Sequence, residues 1–209
     1  MKIKYGISSV LFFSLLLLAA TLCSAGAEDE AARIQKAYEK IKDVKGSFVQ
    51  KSHVRDLKRT DTYQGRFFIK PPKMKWEYQG EKAQTVFITG EEIIIYQKKE
   101  NQAFQSRFDR STYGQAPIAL LGGFGDIRKE FEVTMKGDRL HLKPKKPMGT
   151  IAYIEITPAE GDFPIGALTI VDSLSNRIDV QLKDVTVNTG LKDRIFEFTP
   201  PEGVNILRQ

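Results

Sequence analysis

Few side chains in this sequence are of a type and spacing that could catalyse a reaction. The two histidines, His53 and His141, each fall on the polar side of an alternating stretch, with no second His, Cys or Asp at ligand spacing. Both are expected to be exposed strand histidines without a metal or a catalytic role. There is no G-x-S-x-G elbow, H-E-x-x-H pair or phosphate-binding loop. Gly122-Gly123-Phe124-Gly125-Asp126 is glycine-rich but follows an expected helix, so it does not offer free N–H groups at a helix start. The carboxylates are scattered, and none pairs with a partner that would suggest glycoside hydrolysis. What the residues do offer is apolar surface. Phe67, Ile69, Met74, Trp76, Tyr78, Phe87, Ile93, Ile95, Phe104, Phe108 and Phe124 are placed to line one concave face. Large aromatics and Met suit an adaptable pocket, and the same residues would equally fill an ordinary core.

The elements that must position them are mostly strands. From Ser47 onward the apolar period is two: Met74, Trp76 and Tyr78 alternate with Lys73, Lys75 and Glu77, and Pro71-Pro72 forces a turn before them. Val86–Ile88 and Ile93–Tyr96 flank Gly90 as a hairpin, and Phe131–Met135 and Leu140–Leu142 flank Gly137-Asp138 as another. Ile151–Ile156, Ile165–Val171 and Ile178–Leu182 add strands, and Phe196 and Phe198 suggest a last short one before Pro200-Pro201. Eleven or so strands at this spacing predict an antiparallel sandwich or barrel.

Two segments depart from that pattern. Over residues 29–45, Ala31, Ile34, Tyr38, Ile41 and Val44 recur every three or four positions, which predicts an amphipathic helix stopping near Gly46. Ala116 to Phe124 predicts a short helix, with Leu120 and Leu121 in it, apolar on every side. A curved sheet with these two helices across its opening would be a receptacle with a lid. Ile34, Tyr38 and Ile41 would then be lid residues over the strands' apolar face.

Composition sets the class. The 209 residues are 41% hydrophobic and 28% charged, as in a globular protein. Lys2 and Lys4, the apolar run Val10–Ala20 and the small residues Ala25-Gly26-Ala27 read as a cleaved secretory signal over 1–27. One domain is expected over 28–209, without its only cysteine, Cys23, and held by its core alone. Losing Lys2 and Lys4 lowers the formal charge from +6 to +4. That excess is spread out, without the basic stripe and interleaved aromatics of a nucleic-acid binder.

Several stretches in their order resemble a known family, the periplasmic outer-membrane lipoprotein carriers (LolA). Phe48-Val49-Gln50 resembles its F-x-Q, and Gly65-Arg66-Phe67, Lys70-Pro71 and Met74–Tyr78 resemble its G-x-[FL], [KR]-P and R-W-x-Y stretch. Pro117–Gly122, Leu140–Lys145, Ile154–Ile156, Asn176–Ile178, Asn188 and Phe196–Val204 follow in the family's order. The resemblance implies a mainly β fold, an incomplete antiparallel barrel of about eleven strands with a helical lid over an apolar cavity. It implies no enzymatic activity and no cofactor, a monomeric carrier in the periplasm, and acylated lipoproteins as cargo. The implied partners are an inner-membrane lipoprotein-releasing ABC transporter and the outer-membrane receptor LolB. A periplasmic lipoprotein-sensing regulator with a similar half-barrel is the alternative, although such regulators usually carry an additional domain. Family members often have Arg at the position of Lys70, where it ties barrel to lid; Lys70 keeps the charge without the planar fork and is expected to latch more loosely.

Overall fold

The computed structural model describes residues 26–109, 117–123 and 125–208. The expected signal segment therefore lies almost wholly outside the described residues, and Phe124 is outside them too. One twelve-stranded sheet organises the chain. Its strands are β1 (Val44–Val54), β2 (Arg59–Lys70), β3 (Lys73–Tyr78), β4 (Thr85–Thr89), β5 (Glu92–Gln97), β6 (Gln102–Arg107), β7 (Phe131–Lys136), β8 (Arg139–Pro144), β9 (Ile151–Pro158), β10 (Ile165–Asp172), β11 (Arg177–Val187) and β12 (Asn205–Arg208). The order across the sheet is β12-β6-β5-β4-β3-β2-β1-β11-β10-β9-β8-β7. β1 to β11 are antiparallel to their neighbours, and β12 joins β6 in parallel. The outer strands β7 and β12 do not pair with each other, so the barrel is incomplete, as expected.

Period-two alternation gives this sheet one apolar face. Register matches inward residues strand by strand: Val44 with Ile69, Ile69 with Met74, Met74 with Ile88, and Ile88 with Ile93. On the other side of β1 the row runs from Phe48 to Leu182, and from Val180 through Leu168, Ile156 and Leu140. These side chains form one contiguous buried core.

Helix α1 spans residues 26–38, shorter than the predicted 29–45. Tertiary hydrogen bonds end it. The Asn188 side chain accepts from the Lys42 N–H at 2.7 Å and donates to the Lys40 carbonyl at 3.2 Å. The Asp43 carboxylate is buried and accepts from the backbone N–H groups of Thr189, Gly190 and Leu191 at 2.8 to 3.2 Å. Val44 therefore starts a strand, while Ile41 still packs against the core from the connecting turn. Gly46 is no helix stop: it lies in β1, where a Cβ would stand 2.8 Å from the Phe67 ring.

The C-terminal expectation also changes. Phe196 and Phe198 form no strand; Asp193–Phe196 is a 3-10 helix, and the last strand is β12, beyond Pro200-Pro201. This segment crosses the convex side of the sheet, where Phe198 stacks on Phe87 and Tyr96 at 5.5 and 5.2 Å.

Candidate functional site

The concave face is roofed by two separate pieces. α1 brings Ala27, Ala31 and Ile34 into the core, and a 3-10 helix, Pro117–Gly122, brings Leu120 and Leu121; all five are at most 1% exposed. The 3-10 helix sits over β2 and β3, so close that a Cβ on Gly122 would lie 3.3 Å from Met74 Cε. α1 lies toward the other half, where Arg33 donates to the Ala159 carbonyl at 3.4 Å and the Gln35 side chain accepts from the Ile127 N–H at the start of α2 (Ile127–Glu130) at 3.3 Å. Tyr38 joins the two pieces: its hydroxyl donates to the Leu121 carbonyl at 3.2 Å, and its ring lies 5.7 Å from Phe163. Burial pushes the Tyr38 phenol above its ordinary pKa, so it remains a donor.

Of the residues singled out from sequence, Ile34, Phe67, Ile69, Met74, Trp76, Ile93, Leu120 and Leu121 meet in this core, and Tyr38, Ile41, Tyr78 and Ile95 pack against it half-buried. Phe87 does not. Val86-Phe87-Ile88 is apolar throughout, so alternation cannot fix its face, and the register pairs Trp76 with Val86 but Lys75 with Phe87. Phe87 therefore faces the convex side, between Phe198 and the Lys75 ammonium, which lies 5.4 Å from the ring centroid. Lys70 is also on that side. Among the described residues its partners are the Leu191 carbonyl at 3.1 Å and Asp193 at 2.9 Å, so it fastens the C-terminal segment to the end of β2. His141 is less exposed than predicted, with its side chain 13% accessible and 3.6 Å from Glu155. Burial, then the charge of Lys136, push its imidazole below the ordinary value.

Several residues of the site are not among the expected inward residues, although Phe48, Gln50 and Gly65 fall in the F-x-Q and G-x-[FL] stretches. Phe48 packs on Trp76 at 4.4 Å with the rings tilted and meets Tyr78 edge-on at 5.3 Å, and Phe67 stacks on Trp76 at 5.1 Å. Gly65 makes room for this cluster, since a Cβ there would overlap the Glu77 carbonyl and touch the Phe48 ring. Gln50 is a polar residue in the apolar phase of β1. It is buried, accepts from the Tyr78 hydroxyl at 3.1 Å and donates to Ser52 Oγ at 2.9 Å. Burial, then the neighbouring Tyr63, raise the Tyr78 phenol, keeping it protonated for that bond. The Trp76 indole N–H influences the Tyr78 hydroxyl but lacks hydrogen-bond geometry to it or to any other group among the described residues.

In physical terms this is an apolar concave surface with a few inward polar groups, covered by α1 and the 3-10 helix, neither of which pairs with its strands. It can shelter apolar ligands once the roof moves. A curated outer-membrane lipoprotein carrier protein of Bordetella avium is 30% identical to this chain, with 98% of the chain and 99% of the relative covered. One of Halorhodospira halophila is 29% identical over 91% and 90%. Among solved structures, an uncharacterized conserved protein of Thermus thermophilus matches with a TM-score of 0.56 at 12% identity, covering 88% of this chain and 99% of that one. The family model for the outer membrane lipoprotein carrier protein LolA matches residues 39–199, so the chain belongs to that family.

Proposed function

We propose that this protein carries acylated lipoproteins across the periplasm. It takes them from an inner-membrane lipoprotein-releasing ABC transporter, holds their acyl chains against the concave face, and delivers them to an outer-membrane receptor of the LolB type. One observation carries the reading: an apolar face spanning the sheet is covered by two pieces that make no strand pairing with it. Burying acyl chains is worth ~0.8 kcal/mol per methylene, so three chains of roughly fifteen methylenes represent ~35 kcal/mol gross. A soluble carrier must supply comparable apolar surface, and displacing α1 and the 3-10 helix exposes that surface only while cargo is present.

Photo-crosslinking with labelled lipoprotein tests this. Probes replacing Ile93 or Leu121 are expected to give adducts, and a probe at Phe87, on the convex side, none. Equal labelling at all three positions would refute cargo on the concave face. Depletion in cells should strand outer-membrane lipoproteins in the inner membrane; unchanged fractionation would refute the carrier role.

A further inference from the structure

Among the described residues, two buried side-chain polar atoms lack a hydrogen-bond partner: Nδ1 of His141, on the convex side, and Nε1 of Trp76, on the concave floor. Trp76 is 1% exposed and lies in the buried core of the concave face. An acyl chain is apolar along its length but ends in an ester carbonyl. When the chain enters the barrel, that carbonyl loses its water, and a buried acceptor without a donor is strongly disfavoured. The nearby polar groups are already engaged with one another. Tyr78 donates to Gln50, and Gln50 donates to Ser52; the Trp76 N–H, near the Tyr78 hydroxyl but outside hydrogen-bond geometry to it, is the donor left without a partner among the described residues. Phe48 and Phe67 both pack on its ring, with centroids 4.4 and 5.1 Å away, which restricts the ring before a ligand arrives.

We propose that Trp76 Nε1 is a hydrogen-bond donor to an acyl-ester carbonyl of the bound ligand. The carbonyl is thereby placed over β3, beneath the position of the 3-10 helix. The proposal rests on the carrier reading and adds to it a depth marker: the donor sets how far the chains slide in. It also leaves the roofed form with an unmet donor that an ester-linked ligand satisfies and a plain hydrocarbon does not.

The test uses the whole mature chain with two probes, 1,2-dipalmitoylglycerol and its counterpart with ether links in place of both esters. Trp76 is the single tryptophan, so the indole N–H gives one resonance in an ¹⁵N-labelled sample. The ester probe is expected to move that resonance downfield and the ether probe to leave it near its free position. Trp76→Phe, which keeps a ring but loses the donor, is expected to weaken the ester probe about tenfold and the ether probe less than twofold. Equal weakening of both probes would overturn the proposal, since only the ring would then matter; so would an unmoved resonance with ester bound. Displacement of a hydrophobic dye by a triacylated cysteinyl peptide, measured in parallel, separates the two readings. If the peptide displaces dye while the two glycerol probes bind alike, the carrier stands and the donor role falls. If no probe displaces dye, the carrier reading falls and the donor role falls with it.

Discussion

Between β1 and β5 the concave face is aromatic, tightly cleared and partly polar; between β7 and β11 it is mainly aliphatic, with Phe131 as its buried aromatic. The first half stacks Phe48, Trp76 and Phe67, needs Gly46 and Gly65 for clearance, and holds Gln50, Tyr78 and the unmet indole donor. The second half presents Leu140, Leu142, Ile154, Ile156, Leu168 and Ile170, all at most 3% exposed. Branched aliphatics interdigitate well and ask nothing of their neighbours except volume. The roof follows the same division, with the 3-10 helix over the aromatic half and α1 toward the aliphatic one. The contrast teaches that one core is held in two ways, by fixed clearances in one half and by aliphatic volume in the other, and substitutions should separate them.

The largest effect is expected from glycine clearance. Gly65→Ala puts a methyl into the Glu77 carbonyl and the Phe48 ring, and should cost about 3 kcal/mol or prevent folding. Gly166→Ala, on the aliphatic side, meets its nearest atom at 3.5 Å, an ordinary contact, and should cost less than about 1 kcal/mol. Equal urea midpoints for the two variants would erase the distinction. Next comes the turn between α1 and β1. Asp43→Asn removes the charge that accepts three backbone N–H groups and should cost about 2 kcal/mol. Burial opposes ionisation of Asp43, but the hydrogen bonds from Thr189, Leu191 and Gly190 outweigh it and hold the carboxyl below its ordinary value. The unfolded chain thus binds the proton more readily than the folded one, so this stabilisation is present above about pH 4 and fades as pH falls below it. The stability of Asp43→Asn should be flatter than wild type across that acid limb; parallel curves would count against the assignment. The smallest effect is expected at the join of the roof. Tyr38→Phe removes one hydrogen bond to Leu121, worth about 1 kcal/mol, and should raise the open fraction about fivefold. Hydrogen exchange at the Leu121 amide reads it, and an unchanged rate would mean the two roof pieces move independently.

Strands are legible wherever polar and apolar residues alternate, as in Lys73–Tyr78, because a one-residue shift would expose Trp76 to water. Alternation fails where a strand is apolar on both faces, and that is why sequence alone places Phe87 inward. Its convex face is covered by Phe198, from a segment more than a hundred residues away in sequence. The end of α1 departs from expectation for a related reason. Helical periodicity continues to Val44, but the hydrogen bonds from Asn188 and to Asp43 come from the far end of the chain and override it. The apolar members of the site are legible as a set, whereas the resemblance marks Gln50 and Gly65 without their roles, which depend on what lies across the neighbouring strand.

The central seam of the sheet joins β1 to β11, residues 44–54 to residues 177–187. Neither half of the sheet can be bridged until nearly the entire polypeptide is available, and non-local pairings of that span are closed late and slowly. A chain delivered through a membrane from its N-terminus would emerge with β2 to β6 already able to zip as hairpins, yet with β1 lacking its second neighbour until roughly the last thirty residues arrive. During that interval the greasy strand surfaces stand bare, so molecules still awaiting β11 should depend on holding factors far more than finished ones do.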